Sequence, residues 1–358
     1  MITIQAALAR KSGSARAFRI EPVGLDAPRP GELLVRIAAC GICHTDLGFA
    51  GAAGGDGGLP QILGHEGAGI IEQTGARVRG LRPGDHVVLS YQSCGRCAAC
   101  RRGAPAHCAR FWELNFDGER LDGSNAYHGA RGHFFGQSSF ATHALATPRN
   151  AVKVPKTLPL ELLAPLGCGF QTGAGTILNS LRVRRGSSVA VFGAGSVGLA
   201  AVMAARIARA GVIIAIDLRP ARLRLARELG ATHALLSNGR LAGALRKILP
   251  RGVDYALEIT GEPEVLDVAA ETLAPGGALA NIAVPGADAS RLQPGQRMVE
   301  IIQGDAIPQV FIPKMIRYYQ AGRFPIDRLL RVYPFGEINR AFADSASGRA
   351  IKAVLRMA

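Results

Sequence analysis

Up to about residue 160 the apolar positions come in short runs divided by Gly and Pro. Glu32–Ala38, Gly69–Thr74, His86–Tyr91 and Ser139–Ala146 read as strands, with Pro30-Gly31 and Pro83-Gly84 marking turns between them. A compact β-rich domain is expected there. From about Leu166 the period changes. Ser188–Phe192 is an apolar β-branched run, followed by Gly193–Gly198 and an Ala-rich amphipathic stretch to Arg209. Val212–Ile216 and Arg219–Leu229 repeat strand and helix, and Tyr255–Ile259 and Ala278–Ala283 predict later strands. That alternation predicts an α/β, doubly wound parallel sheet. After about Gln303 come Pro-spaced segments, a helix at Pro313–Ala321 and a last strand at Lys352–Arg356. The expected domains are residues 1–165 with 303–358, and residues 166–302. There is no internal repeat and no low-complexity tail.

Composition narrows the class. At 358 residues, 48% hydrophobic and 19% charged, the chain can fill two cores and is not broadly disordered. Leu162–Leu181 and Gly186–Ala205 are uncharged and of bilayer-spanning length, but Gly and polar residues interrupt both, so no membrane span is expected. Met1–Arg10 lacks the layout of a secretion signal, and a cytoplasmic location is the default expectation. The net charge of +15 raises nucleic-acid binding. Against it, the Arg residues are mostly dispersed (Arg82, Arg149, Arg206, Arg251, Arg323), and aromatics are 6%, too few for an obvious base-stacking platform. The charge better suits attraction of an anionic cofactor. Gly51–Gly58 has neither a following Lys-Ser/Thr nor a helix, so it reads as a mobile loop and not a phosphate cradle.

Gly193-Ala-Gly195-Ser-Val-Gly198 is Gly-x-Gly-x-x-Gly between a strand and a helix, with Asp217 ending the next strand. Gly193 permits the tight turn, Gly195 admits a pyrophosphate to the backbone, and Gly198 allows close helix packing. The helix start offers free N–H groups to phosphates. Asp217 would bind ribose hydroxyls and repel a 2′-phosphate, which favours NAD. Arg219 and Arg222 keep NADP open as the alternative.

Seven cysteines in an apparently cytosolic chain point to metal or catalysis and away from a disulfide framework. Cys94, Cys97, Cys100 and Cys108 give four thiolates within fifteen residues, a closed set of the kind that holds structural zinc. A nucleic-acid zinc ribbon would instead need two separated Cys pairs on a basic or aromatic surface, for which Arg101 and Arg102 are the main local support. Cys43, His65 and Cys168 form a different set, far apart and of mixed type. Two Cys and one His with an open fourth position is a catalytic zinc arrangement. Taken singly, each of these three residues has an ordinary packing role as its alternative.

The chain resembles the zinc-containing medium-chain alcohol dehydrogenases over nearly its whole length. Gly64-His65-Glu66-x-x-Gly69-x5-Gly75, Gly41-Ile42-Cys43-His44-Thr45-Asp46 and Leu166-Gly167-Cys168-Gly169-Phe170-x-Thr172-Gly173 are similar to that family's zinc-ligand segments. The resemblance implies a Rossmann domain beside a β-rich GroES-like catalytic domain, two zinc ions per chain, and a homodimer or homotetramer. Cys43, His65 and Cys168 are then catalytic zinc ligands, Glu66 lies behind the metal, and Asp46 orients the imidazole. Thr45 would accept the alcohol's hydrogen bond. Thr172 and the backbone at Ile282 and Val284 would hold the nicotinamide, and His44 and Lys352 would contact the pyrophosphate. Cys40 matches no ligand position and reads as packing. Asp122-Gly123-Ser124 and His133–Ala141 are most similar to the aryl-alcohol (benzyl alcohol) branch, which implies NAD-dependent oxidation of aromatic and allylic primary alcohols. A glutathione-adduct (formaldehyde) dehydrogenase or a general aliphatic alcohol dehydrogenase is the alternative within the family. A non-catalytic NAD-binding sensor is a rival from outside it. One departure stands out: where many members carry a relay histidine, five residues after the first zinc cysteine, this chain has Gly48.

Overall fold

The structure, a computed structural model, describes residues 1–12, 15–52, 59–283 and 288–357. The chain forms two compact units: Met1–Cys168 with Ile307–Ile316 and Ile326–Ala358, and Gly169–Ala306 with Arg317–Pro325. These boundaries fall a few residues beyond the 165/166 and 302/303 positions expected from sequence. Arg317–Pro325 joins the second unit because Phe324 packs edge-on against Phe170, at 6.5 Å, and Arg323 reaches the Ile207 carbonyl at 3.4 Å.

In the first unit the main sheet runs Leu330–Pro334, Lys352–Arg356, Leu33–Gly41, Glu66–Thr74, His86–Leu89 and Ala151–Lys153, with His143–Ala146 also paired to Leu33–Gly41. Leu33–Gly41 is buried almost throughout, as suits a central strand. Its register aligns Gly41 with Val354 on one side and with Glu66 on the other. A side chain at Gly41 would run into the Glu66 carboxylate, so glycine is what admits that group here. A second sheet contains the hairpin of Ile2–Ser12 and Ala15–Leu25, flanked by Gln61–Ile62 and Tyr127–His128. The periodicity reading does not find this hairpin. Its buried positions include Ala6 on one face and Ala7 and Ala9 on the other, so no alternation shows, and alanine carries little strand signal.

The second unit is a six-stranded parallel sheet in the order His233–Leu236, Val212–Asp217, Ser188–Phe192, Val253–Glu258, Leu273–Asn281, Arg297–Glu300. All five residues of Ser188–Phe192 are buried, which is why that segment reads as an unbroken apolar run. Strand order reverses beside it, toward Val253–Glu258, and such a reversal opens a ligand crevice at the carboxyl ends of the strands. The helix expected at Pro313–Ala321 spans Pro308–Gln320 instead and contains Pro313 within it. Pro308 supplies the favourable first-turn proline, and Pro313 costs the helix one backbone donor. No helix among the described residues is long and apolar enough to cross a membrane.

Candidate active site and metal centres

Three segments of the first unit converge on one donor set. Cys43 precedes the helix His44–Ala52, His65 precedes the strand Glu66–Thr74, and Cys168 ends the 3-10 turn Ala164–Gly167. The ligand atoms of Cys43, His65, Glu66 and Cys168 all lie within 4.8 Å of one another. Asp46 braces the group. Its Oδ2 accepts from the Cys43 N–H at 2.9 Å and its Oδ1 from the Gly64 N–H at 3.1 Å, while His65 Nδ1 lies 3.0 Å from Oδ1. A proton on Nδ1 leaves Nε2 as the coordinating nitrogen. Nε2 is buried and has no hydrogen-bond partner. Such an orphan is costly unless something binds it. Two thiols and an imidazole suit zinc, so the residues present fit the metal.

The electrostatics agree. A hydrogen bond with Cys168, opposed by burial and helped by His65, holds the Cys43 thiol well below the usual range. Burial disfavours charge on His65, but Asp46 and Cys43 outweigh it and lift the ring's pKa to about 10. The pocket therefore favours positive charge at this point. Burial raises Glu66, against the pull of Lys352. The Lys352 ammonium, itself buried, donates to both Glu66 oxygens at 2.9 Å and to the Ile42 carbonyl at 3.1 Å. Lys352 is thus turned to Glu66, whereas His44, the other cation of the sequence reading, is exposed.

Sequence reasoning missed the supports around this set. Gln137 is fully buried; its amide donates to the carbonyls of His65 (2.9 Å) and Ser90 (3.0 Å) and accepts from the Gly67 N–H at 3.1 Å. It also missed an aromatic wall. Phe135 stacks on the His65 ring at 4.3 Å, with Phe134 edge-on at 5.6 Å. Phe116 packs on Phe135 at 5.0 Å and on Phe49 at 5.1 Å. The Phe134-Phe135 pair was the available signal, but its partners are distant in sequence.

The Cys94, Cys97, Cys100 and Cys108 sulfurs also lie within 4.8 Å of one another. Backbone N–H groups of Cys94, Cys97, Ala109 and Arg110 donate to sulfurs of the set at 3.3–3.5 Å. Bonds of this kind favour thiolate. Those from Ala109 and Cys100 bring Cys97 down to about 6. None of the seven cysteines is in a disulfide. A metal would cross-link this loop, whose buried apolar residues are few.

In the second unit the Gly193 φ of +102° makes the turn, and a side chain at Gly198 would strike the Gly193 carbonyl, while Gly195 faces open space. The helix Ser196–Ile207 starts there. Asp217 Oδ2 accepts from the Ala194 N–H and Oδ1 from the Arg219 N–H, both at 2.8 Å, and Arg222 lies 3.6 Å away. Both oxygens serve the loop, and ribose hydroxyls would share their remaining lone pairs. Buried Glu258, also unforeseen, shapes the next loop by accepting from the Thr260 N–H at 2.5 Å and the Gly261 N–H at 3.3 Å. Thr172 is buried and Ile282 half-buried; Val284 and residues 53–58 of the Gly-rich loop lie outside the described residues.

Residues 29–156 match the alcohol dehydrogenase GroES-like domain, and residues 196–304 match the zinc-binding dehydrogenase family. A geraniol dehydrogenase from Castellaniella defragrans is 45% identical over 99% of this chain and 98% of that protein. The crystal structure of a benzyl alcohol dehydrogenase from Acinetobacter calcoaceticus superposes with a TM-score of 0.94 at 42% identity, covering 100% of both chains. An alcohol dehydrogenase zinc-binding domain protein from Burkholderia ambifaria gives 0.93 at 48% identity, covering 100% of this chain and 99% of that one.

Proposed function

Because the chain belongs to the zinc-dependent medium-chain alcohol dehydrogenase family, we propose that it moves hydride between a primary aryl or allylic alcohol and NAD, giving the aldehyde. One observation carries the choice of substrate: the ring wall of Phe49, Phe116, Phe134 and Phe135 beside the Cys43–His65–Cys168 set. Flat unsaturated groups gain both apolar burial, about 25 cal/mol per Å², and ring contacts against such a wall. The relatives named for geraniol and benzyl alcohol support the same reading.

Cys43, His65 and Cys168 would hold a zinc ion, which supplies a Lewis acid that eases ionisation of an alcohol, and the dinucleotide supplies the hydride acceptor. Asp46 fixes the His65 ring so that Nε2 faces the donor set. The Thr45 hydroxyl, 3.9 Å from Cys43 Sγ, would take the substrate's hydrogen bond and start the proton's exit. At exposed Gly48 there is no side chain to relay it, so the proton passes directly to solvent. The Glu66–Lys352 pair would hold a balanced charge behind the ligands. Cys94, Cys97, Cys100 and Cys108 would hold a second zinc that orders their loop. Gly193, Gly195 and Gly198 would receive the pyrophosphate, and Asp217 with Arg222 the adenosine ribose.

The test is dinucleotide reduction with benzyl, cinnamyl, geranyl and ethyl alcohols, each with NAD and NADP. The aryl and allylic alcohols with NAD should lead in kcat/KM by several-fold to about a thousandfold over ethanol, on the same burial scale. Ethanol equal to benzyl alcohol defeats the substrate reading, a preference for NADP defeats the cofactor reading, and activity that requires glutathione with formaldehyde points to the alternative branch.

A further inference from the structure

We infer that Trp112 is the outer lip of the substrate path and sets the preference for alcohols that extend beyond a single ring. This rests on the aryl or allylic reading above. Trp112 is the chain's one tryptophan and is 67% exposed. One face of its indole stacks on Phe116, with centroids 5.0 Å apart at 29°, and its edge meets Phe111 at 5.7 Å. Among the described residues no other ring packs on it. From Phe116 the row continues to Phe135 at 5.0 Å, and from Phe135 to the His65 imidazole at 4.3 Å. An unbroken line of rings thus leads from solvent to a residue of the proposed metal set.

The indole is also held in place. Its helix, Phe111–Phe116, begins three residues after Cys108, and the Phe111 N–H donates to the Cys108 carbonyl at 2.9 Å. Buried Asn115 latches the helix to Gln92, accepting its N–H at 2.8 Å and donating to its carbonyl at 3.0 Å. Phe111 and Phe134, in the same row, are buried. Trp112 instead presents a rigid, uncovered π face at the solvent end of the row. The far end of an unsaturated alcohol, whose hydroxyl lies at the metal set, has the chemistry to cover it.

The chain's single tryptophan lets wild-type protein test this directly, by emission during titration with geraniol and with ethanol. Geraniol should move the emission to shorter wavelength, saturably, as the indole is covered; ethanol should not. In Trp112→Ala the ratio of kcat/KM for geraniol to that for allyl alcohol should fall roughly two- to twelvefold, the worth of one aromatic contact. Trp112→Phe should restore most of it. A wild type that turns over ethanol as well as geraniol removes the substrate reading, and this inference with it. A wild type that prefers geraniol, with unmoved emission and an unchanged ratio in Trp112→Ala, overturns the inference alone. A smaller assembly mass in Trp112→Ala would also overturn it, by showing that a second copy of the chain covers the indole.

Discussion

Lys352→Met separates two roles for the same ammonium. By family position it would contact the cofactor's pyrophosphate, yet the structure seats it on Glu66. Lys352 is 2% exposed and Glu66 0%, with Nζ at 2.9 Å from both carboxylate oxygens and 3.1 Å from the Ile42 carbonyl. Two unit charges at that separation attract by about 6 kcal/mol at an effective dielectric constant near 20. Much of this offsets the cost of desolvation, so the pair as a whole adds little. Removing one partner is different, because it strands a buried charge and typically costs about 3–5 kcal/mol. Lys352→Met should therefore destabilise the first unit by about that amount. The double variant Lys352→Met with Glu66→Met should recover most of it, with a coupling energy of at least about 2 kcal/mol. Urea unfolding of zinc-loaded protein, followed by Trp112 emission, reads the unit that contains the pair, and zinc content measured alongside shows whether the metal is retained. A loss under about 1 kcal/mol, with the KM for NAD raised tenfold or more, would refute the reasoning and return Lys352 to the pyrophosphate.

Cys43→Ser should abolish turnover while leaving most of the fold, whereas Cys97→Ser should lower the melting temperature first; equal melting losses with activity tracking them would defeat the division between an open and a closed set. Asp217→Ala should weaken NAD and help NADP, narrowing the ratio of their kcat/KM values, and a wild type that prefers NADP would contradict it. Gly48 is exposed in its helix and a built Cβ meets nothing within 4 Å, so Gly48→His should fold normally. It should speed single-turnover oxidation less than roughly tenfold near neutral pH and add a titration near about 6.5; a gain above roughly a hundredfold would show that the direct route to solvent is inadequate.

What could be read from the sequence was chemistry confined to short stretches. The glycine turn, the four-cysteine lobe and the Gly64-His65-Glu66 segment carry residue types that few other structures require at such spacing. The parallel sheet was legible because strands buried on both faces become continuous apolar runs, as Ser188–Phe192 does. The Ala-rich hairpin was not, since alanine favours helix and carries little strand signal. Pro313 misled for a related reason: proline usually opens a helix, and only the packing of Pro308–Gln320 accommodates it inside one. The partners of the site depended on tertiary structure altogether. Lys352 and Glu66 are 286 residues apart, and Gln137 and His65 are 72 apart. Strand register brings Val354 and Glu66 to either side of Gly41, and so selects a carboxylate for a lysine that local sequence marks only as a cation. The aromatic wall depends likewise on Phe49, Phe116 and Phe135 meeting from three separate segments. Local periodicity determines which face of an element is apolar; which faces meet is decided by pairing and packing between elements far apart in the chain.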